Sequence, residues 1–511
     1  MNKVLKGLVA VAATAAMAVA GFAGASTAMA DTATGSIKVA EGDSHTYTVY
    51  QVFTGTYGSD GSLGDVKPGT DFNADNGAGD NGTNLTATAA AEALAKIEST
   101  KSDQEKLTEI LKFANLSTPY NQTDLTANTP LNNVPAGYYL AKDKDGSVTG
   151  NDAQTLYIVN VVGNSEVTIT RKADKPTFQK KVKDTNDSTG STTDWQDSAD
   201  YDVDDEVPFQ LTATLPTNGA DFAAYKTYKL VFHDQQSAGL TFNKDSVVVK
   251  YGDQTLGTDS YTLETPATDN DTFDITIADA KAVKDAEDNA ITVAAGGKFT
   301  VEYTSTLNEN AVIGSTGNPN EASLEFSNNP NVGGEGETGK TPTDKVIVFT
   351  YQLDINKTFN GGTPAEDDLP KFKLYKFDST TNDYTIDRGE VTITKTEGGK
   401  YTASFKRVDD GMYKLVETKT PAGFNTAADT TFEITADHDV ESDNPQLTVL
   451  KINTTAGNTT TGTVTADVVN QKGSNLPSTG GMGTVLLYVA GIAVFVLAGA
   501  TLVMALRRRN A

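Results

Sequence analysis

The C-terminal end of the chain restricts its architecture more than any other stretch. An apolar run extends from about Met482 to Leu506, and Arg507, Arg508 and Arg509 follow it. The run meets the roughly 20 residues that a membrane-spanning helix requires, and arginines behind such a helix are typical of the cytoplasmic side. The sequence therefore predicts a single C-terminal transmembrane helix, with the bulk of the chain outside the cell.

The N-terminus predicts export as well. Lys3 and Lys6 precede an apolar stretch of small residues from Leu8 to about Ala25, and Ala28–Ala30 has the small residues of a cleavage site. We therefore predict a signal peptide over residues 1–30. The remaining chain is long enough for about two to four domains.

Composition excludes several functions. The formal net charge of −26 argues against binding to nucleic-acid phosphates. The chain has no cysteine, so it lacks the disulfides that often stabilise exported proteins. Its histidines, His45, His233 and His438, are far apart in the sequence, and we predict neither a metal site nor a cofactor. Motifs of serine hydrolases, phosphate loops and zinc peptidases do not occur in it.

Short strands separated by turn residues predict an all-β protein of tandem β-sandwich domains. The first domain, 31–172, opens on a strand at Tyr47–Phe53 and contains a helical insertion, in which Leu107 and Ile110 share a face. We place a middle domain at 173–344 and a C-terminal domain at 345–472. The terminal segment, 473–511, contains the transmembrane helix.

Three polar side chains interrupt apolar faces of the middle domain. Alternate residues of a strand share a face, so Lys180 lies between Phe178 and Val182, Asp234 follows Phe232, and Asn328 follows Phe326. Lys181 is the rival lysine, but it alternates with Gln179 and Lys183, which indicates solvent. Burying such groups singly is unfavourable by several kcal/mol.

Together these three groups have complementary chemistry. Desolvation lowers the pKa of a lysine and raises that of a carboxyl group. A neutral Lys180 amine can attack the Asn328 amide, while protonated Asp234 polarises that amide and moves protons. Alignment in a fold contributes about 7–11 kcal/mol towards such a barrier. Loss of ammonia would leave a Lys180–Asn328 isopeptide bond.

The C-terminal domain repeats the pattern. Lys357 follows Leu353 and Ile355 on one face, Glu417 follows Tyr413 and Leu415, and Asn470 follows Ala466 and Val468. A weaker echo in the first domain, GYYLAKD, sets Asp143 at the position of Glu417. Lys38 lies off the face of its neighbours Ile37 and Val39, so we predict no cross-link in that domain.

Three motifs carry a resemblance to known families. Leu476, Pro477, Ser478, Thr479 and Gly480 spell LPSTG, which resembles the LPxTG sorting signal of Gram-positive surface proteins. FHDQQSAGLTF, 232–242, resembles the acid-bearing segment of self-cross-linking domains of collagen-adhesin (Cna) type. YKLVETKTPAGF, 413–424, resembles the E-box of Gram-positive shaft pilins, with Thr420 and Phe424 as departures.

The resemblance implies immunoglobulin-like Cna-type folds and a role for each residue. Asp234 and Glu417 would catalyse formation of the Lys180–Asn328 and Lys357–Asn470 bonds. A sortase would cleave between Thr479 and Gly480. Shaft pilins also carry a linking lysine after their first domain, usually within Tyr-Pro-Lys. By position this is Lys172, although Thr170-Arg171 stands where Tyr-Pro is usual, and Lys175 remains the alternative.

The expected function is that of a shaft subunit of a covalent pilus, anchored to the cell wall, supporting adhesion and without turnover chemistry. The resemblance implies a pilus sortase, alone or with a housekeeping sortase, identical subunits, tip and base pilins, and peptidoglycan as partners. One alternative is a wall-anchored adhesin that stays monomeric. A surface glycan hydrolase is the other. It would need a pair of carboxylates in an aromatic-lined cleft, and the single tryptophan, Trp195, and the strand-bound acids argue against it.

Overall fold

The structure is a computed structural model. It describes residues 34–58, 63–74, 85–97, 101, 103–268, 270–332 and 337–473. These residues form three consecutive units, each containing two larger sheets, which confirms the expected all-β tandem architecture. The signal peptide, the LPSTG segment and the C-terminal apolar run lie outside the described residues. No helix within the described ranges is long and apolar enough to cross a membrane.

The N-terminal unit contains a sheet that is covered on both faces. The sheet has the order β3-β2-β5-β6; one face packs on the sheet β4-β1-β7 and the other on two helices, which form the predicted insertion. Its strands are β1 Thr34–Val39, β2 Tyr47–Tyr57, β3 Leu63–Pro68, β4 Leu131–Pro135, β5 Gly137–Asp143, β6 Ile158–Val162 and β7 Glu166–Ile169; its helices are α1 Ala87–Ala95 and α2 Asp103–Leu111.

The middle unit is a sandwich with one large core between its two sheets. One sheet has the order β15-β14-β18-β12-β8; the other runs β11-β21-β19-β13-β17-β16, with β20 also on β19. Its elements are β8 Thr177–Val182, β9 Thr185–Asn186, β10 Ser191–Thr192, β11 Ser198–Asp200, β12 Glu206–Thr214, α3 Gly219–Ala224, β13 Leu230–Gln236, β14 Leu240–Tyr251, β15 Gln254–Thr255, β16 Thr262–Glu264, β17 Phe273–Ile277, β18 Lys298–Leu307, β19 Asn318–Ser327, β20 Thr338–Lys340 and β21 Asp344–Phe349, with short 3₁₀ turns at Thr258–Ser260 and Ala280–Ala282.

The C-terminal unit is a second sandwich. Its sheets have the orders β25-β26-β22-β31 and β24-β23-β27-β28-β29-β30. The strands are β22 Tyr351–Asn360, β23 Lys371–Asp378, β24 Asp383–Thr392, β25 Thr394–Lys395, β26 Tyr401–Val408, β27 Gly411–Lys419, β28 Thr430–His438, β29 Leu447–Ile452, β30 Thr455–Ala456 and β31 Thr463–Gln471.

The two sandwiches share a strand at their boundary. The expected boundary at residue 344 falls on the first residue of β21, and β21 pairs with β19 of the middle sheet. Ile347 and Phe349 of the same strand pack in the C-terminal core. One continuous strand therefore enters both cores, which ties the two sandwiches together.

Candidate functional site

Lys180 is the centre of a polar cluster inside the middle sandwich. Its side chain, on β8, is fully buried. The Lys180 amine Nζ lies 2.5 Å from Asp234 Oδ2 and 2.8 Å from the hydroxyl of Tyr303 on β18. The Tyr303 hydroxyl also lies 2.6 Å from Asp234 Oδ2, to which it donates. The burial predicted for Lys180 and Asp234 is confirmed, whereas Tyr303 is a residue that the sequence analysis missed.

Asn320, near the start of β19, completes this cluster. Its side chain is fully buried, and its Nδ2 donates to the Tyr303 hydroxyl at 2.9 Å. Its Oδ1 is buried without a hydrogen-bond partner. Cross-strand register explains the position: Asp234 of β13 pairs with Ala322 and Gln236 pairs with Asn320, so Asn320 is the diagonal neighbour of Asp234.

The prediction that Asn328 faces Lys180 is wrong. Asn328 is buried as expected, but it lies six positions beyond Ala322, the residue opposite Asp234. At about 3.4 Å per residue this places it about 20 Å further along the sheet. There its Nδ2 donates to the Asp152 carbonyl oxygen of the N-terminal unit at 3.2 Å. Asn328 therefore makes a contact between the N-terminal and middle units, and Asn320 is the asparagine in the cluster around Lys180.

The environment of Lys180 favours a neutral amine. Burial lowers the pKa of Lys180, and the Asp234 carboxylate opposes that shift only in part. Two aromatic rings, Phe209 and Tyr303, lie within 5.5 Å of the amine and are stacked on each other. Burial, with the Asp234 carboxylate second, raises the pKa of Tyr303 well above its ordinary value, so its hydroxyl keeps its proton.

The C-terminal sandwich holds a second cluster with the same kinds of groups. Asn470 Nδ2 donates to Glu417 Oε2 at 3.0 Å, and both side chains are buried. Lys357 is 2% exposed, and its amine donates to the carbonyl oxygens of Val468 at 3.3 Å and Thr358 at 3.0 Å. The remaining side-chain oxygen of each residue, Glu417 Oε1 and Asn470 Oδ1, is buried without a hydrogen-bond partner.

Strand pairing brings the lysine and the asparagine of this second cluster together. The first strand, β22, runs parallel to the last, β31, with Lys357 opposite Val468 and Phe359 opposite Asn470. Lys357 and Asn470 are therefore diagonal neighbours on one face. Burial lowers the pKa of Lys357 to about 8, against the opposing charge of Glu417. The structure thus brings together the three residues expected here.

The N-terminal unit has an acid but a different partner. Asp143, the echo of Glu417, lies 2.7 Å from His45 Nδ1, and both are buried. The Thr155 backbone N–H also donates to this carboxylate. An imidazole does not form the stable amide that a lysine would, so we propose no cross-link there.

The two candidate linking lysines lie at the junction of the first and middle units. Lys172 is half-buried, near the Asp221 carboxyl group. Lys175 is exposed, and its amine donates to the Asn151 carbonyl oxygen at 2.7 Å. Lys175 also lines a cavity of 610 Å³, together with Pro176 and Asp344. Both alternatives from the sequence remain open. The cleavage residues Leu476, Pro477, Thr479 and Gly480 lie outside the described residues.

Another buried lysine, which the sequence analysis did not single out, joins the two sandwiches. Lys376 on β23 is fully buried, and its amine contacts Asp409, Asp202 at 2.9 Å and Asp187 at 3.0 Å. Burial lowers the pKa of Lys376, but the surrounding charges outweigh burial. The Asp409 carboxylate is the largest of them, and together they hold the pKa well above its ordinary value. Arg388 lies 3.3 Å from Asp202 as well. Carboxylates of the middle sandwich thus meet cations of the C-terminal one.

This joint should make the protein less stable as the pH rises. Burial, then the Asp202 and Asp187 charges, raises the pKa of Asp205 from 3.8 to about 7. The folded state therefore binds the proton of the Asp205 carboxyl group more tightly than the unfolded state. The stability that this protonation contributes is fully present below about pH 4 and is lost as the pH rises through about 7. We expect Asp205→Asn to stabilise the protein at pH 8, on the order of 2 kcal/mol, and to do little at pH 4.

Thermal unfolding across this pH range checks the expectation. Asp204→Asn is the matched control, because it removes the same charge from an exposed neighbour whose positive φ of 72° suits asparagine. An equal pH dependence in both variants would show that Asp205 is not the responsible group.

Comparisons with known proteins agree with this architecture. Residues 363–446 match the prealbumin-like fold domain of the SpaA family. The chain is 28% identical over 280 residues to the trypsin-resistant surface T6 protein of Streptococcus pyogenes serotype M6; the match covers 52% of this chain and 46% of that protein, less than half of its length. The T6 backbone pilin structure, described as a modular three-domain structure, has a TM-score of 0.52 at 19% identity and covers 88% of this chain and 100% of that one. The major pilin SpaD of Corynebacterium diphtheriae has a TM-score of 0.47 at 17% identity, covering 87% and 98%.

The comparisons show that the tandem β-sandwich fold of this chain is similar to that of the T6 backbone pilin. Residues 363–446 are similar to the prealbumin-like fold domain of SpaA. In sequence, the chain is similar to the T6 protein of Streptococcus pyogenes.

Proposed function

We propose that this chain is the shaft subunit of a covalent pilus on a Gram-positive cell surface. The observation that carries the proposal is the recurrence, in two consecutive sandwiches, of a buried lysine beside a buried acid and a buried asparagine. Such groups are unfavourable in a core unless they react or pair. Their reaction would cross-link each sandwich in a chain that has no cysteine.

In the middle sandwich we propose a bond between Lys180 and Asn320. The neutral Lys180 amine attacks the amide carbon of Asn320, and the C–N bond to the amide nitrogen breaks. Asp234, which contacts the amine directly, takes up the proton that the amine loses and transfers it to the leaving nitrogen, which departs as ammonia. The Tyr303 hydroxyl, within 2.9 Å of amine, acid and amide, positions the three groups.

In the C-terminal sandwich we propose the corresponding bond between Lys357 and Asn470. Glu417 already accepts a hydrogen bond from the Asn470 amide and thereby orients it. A lysine with a pKa of about 8 is neutral in about a tenth of the molecules at pH 7, far more than a lysine with an ordinary pKa. Because the bond would join the first and last strands of this sandwich, tension along the chain would pass through covalent bonds around the sheet.

Assembly into a fibre would use the two ends of the chain. A sortase would cleave between Thr479 and Gly480 and join Thr479 to Lys172 of the next subunit, with Lys175 as the alternative. The signal peptide and the C-terminal apolar run would deliver the chain to the outer face of the membrane. A homologue that is a surface protein supports this location, and peptidoglycan and accessory pilins would be further partners.

Lys172→Ala is the test of this assembly. We expect wild-type cells to give a ladder of covalent polymers in a denaturing gel of cell-wall extract. In the variant the ladder should disappear and the wall-anchored monomer should remain, because only the accepting amine has been removed.

Lys175→Ala is the matched control, since it removes a lysine from the same junction. If the ladder is lost in this variant and kept in Lys172→Ala, the linking role belongs to Lys175. A single monomer band in the wild type itself would favour the alternative, a wall-anchored adhesin that does not polymerise.

A further inference from the structure

The joint between the two sandwiches contains a second polar group in addition to the Lys376 cluster. It consists of His438 at the end of β28, Asp200 on β11, and Asp184 in the segment after β8. Ligand atoms of the three side chains lie within 4.8 Å of one another. The histidine belongs to the C-terminal sandwich and the two acids to the middle one, so the group spans the joint.

Hydrogen bonding fixes which nitrogen of His438 faces the acids. Ser198 Oγ lies 2.5 Å from the Asp439 carbonyl oxygen, and because a carbonyl oxygen only accepts, the serine hydroxyl must donate its proton there. The same Oγ lies 2.7 Å from His438 Nδ1, so it accepts a hydrogen bond from the Nδ1–H group. Nε2 is therefore the nitrogen directed at Asp184 and Asp200.

The spacing around Nε2 is too long for hydrogen bonds and suits an ion. Nε2 lies 3.5 Å from Asp184 Oδ2 and 3.9 Å from Asp200 Oδ1, whereas an N–H···O bond spans about 2.7–3.2 Å. Two tetrahedral ligands with bonds of about 2.1 Å to one metal ion lie about 3.4 Å apart.

A second observation is that Asp200 is only 3% exposed. Its Oδ1 is the oxygen that faces His438, and its Oδ2 is buried without a hydrogen-bond partner, with the Tyr351 hydroxyl close to the carboxyl group. A buried carboxylate oxygen without a partner is unfavourable unless a cation or a proton compensates it. Asp184 is held in place by the Asp200 backbone N–H, which donates to Asp184 Oδ2 at 3.4 Å.

We propose that His438, Asp184 and Asp200 form a binding site for a divalent transition-metal ion, of which Zn²⁺ is the best fit. An imidazole nitrogen with carboxylate oxygens suits zinc, whereas calcium and magnesium prefer oxygen ligands alone. The contact from His438 Nδ1 to Ser198 is the outer-shell hydrogen bond that typically orients a histidine ligand. A bound ion would clamp the middle sandwich to the C-terminal one.

Two other polar clusters in the described residues do not offer this arrangement. Lys376 already occupies the centre of the carboxylates around Asp202 and Asp409. His233 lies 2.9 Å from Asp274, which is hydrogen-bond distance and leaves no space for an ion between the two atoms. The His233 cluster nevertheless has the same composition, a histidine with two aspartates, and therefore supplies a matched control.

Calorimetric titration of the chelator-treated protein with Zn²⁺ at neutral pH tests the site. We expect one ion per chain and a higher unfolding temperature with zinc. Loss of an outer-shell partner typically weakens metal binding about 10–100-fold, so His438→Gln, which removes a ligand, should weaken it at least that much. Because Asp184 is only partly buried, Asp184→Asn should fold normally and should weaken binding as well.

His233→Gln should leave the zinc affinity unchanged. The proposal is overturned if the wild type does not bind zinc, if Asp184→Asn binds it as tightly as the wild type, or if His233→Gln is the variant that loses it. Circular dichroism without metal separates loss of a ligand from loss of the fold in His438→Gln. Calcium binding that is as tight as zinc binding and insensitive to His438→Gln would also contradict the assignment.

Discussion

Asp234→Ala should yield a middle sandwich that is folded less stably and lacks its proposed cross-link. In the wild type we expect the purified, denatured protein to be lighter than its sequence mass by two ammonia molecules, one for each cluster. Without Asp234 the Lys180 amine has no group to accept its proton, so the variant should be lighter than its own sequence mass by one ammonia molecule instead of two. A covalent link that closes a loop of about 100 residues or more is worth about 5 kcal/mol in the chain-entropy picture, and we expect a loss of at least that order.

Glu417→Ala is the matched control for this effect. It removes the acid of the other cluster, so it should restore the other ammonia, and the double variant should have the full sequence mass. Peptide mapping then identifies the partners. Asn320→Ala should prevent the middle cross-link, whereas Asn328→Ala should leave it intact, because Asn328 contacts the Asp152 carbonyl oxygen instead.

The measured masses and the cross-linked peptides can each contradict the proposal. A wild-type mass equal to the sequence mass would end the proposal for both sandwiches. A cross-linked peptide that contains Asn328 would show that register in the mature protein differs from the pairing of Asp234 with Ala322.

Burial within strands could be predicted from the sequence, because it follows from a strict alternation. Lys180 is flanked by Phe178 and Val182, and side chains two positions apart must share a face. Since the face is apolar, the lysine had to enter the core, and its exposure of 0% confirms this. The same rule located Lys357, which is 2% exposed.

Register between strands could not be predicted in the same way. Asn320 and Asn328 lie on one face of the same chain segment, because they differ by an even number of residues. Alternation alone cannot say which of them is opposite Asp234. Which asparagine lies near Asp234 depends on the register between β19 and β13. In the structure Asp234 pairs with Ala322, and this pairing places Asn320 beside it. Pro319 beside Asn320 also reads as a turn rather than a strand.

Contacts between units were missed altogether, for a physical reason. Lys376 alternates with Leu374 and Phe372 on a core face, so its burial could have been suspected. Its partners Asp187 and Asp202 come from the other sandwich, however, and no periodicity within β23 indicates how two folded units dock. The Tyr303 hydroxyl was missed similarly, because a tyrosine in a core is unremarkable until its neighbours are known.

Lys376→Met should strongly destabilise the joint. Apart from the lysines of the proposed cross-links, we expect no other single lysine substitution to destabilise it as much. The methionine retains most of the volume but leaves the carboxylates of Asp409, Asp202 and Asp187 near one another without their central cation. Removing one partner from a buried ion pair typically costs about 3–5 kcal/mol. The deficit should be larger at pH 8 than at pH 5, since protonation at low pH neutralises carboxylates that have lost their counter-ion. Urea unfolding at the two pH values measures both effects.

Lys373→Met is the control on the same strand, because Lys373 is partly exposed and pairs with Asp387 at the surface; it should leave unfolding nearly unchanged at both pH values. Adding Asp202→Asn to Lys376→Met should recover part of the loss, because it removes one of the uncompensated charges that the middle sandwich contributes. If the double variant were as unstable as the single one, or the deficit did not depend on pH, packing around the Lys376 stem would explain the loss and electrostatics would not. Recovery in the double variant, together with a deficit that shrinks at pH 5, would establish that opposite charges from two sandwiches hold the joint closed.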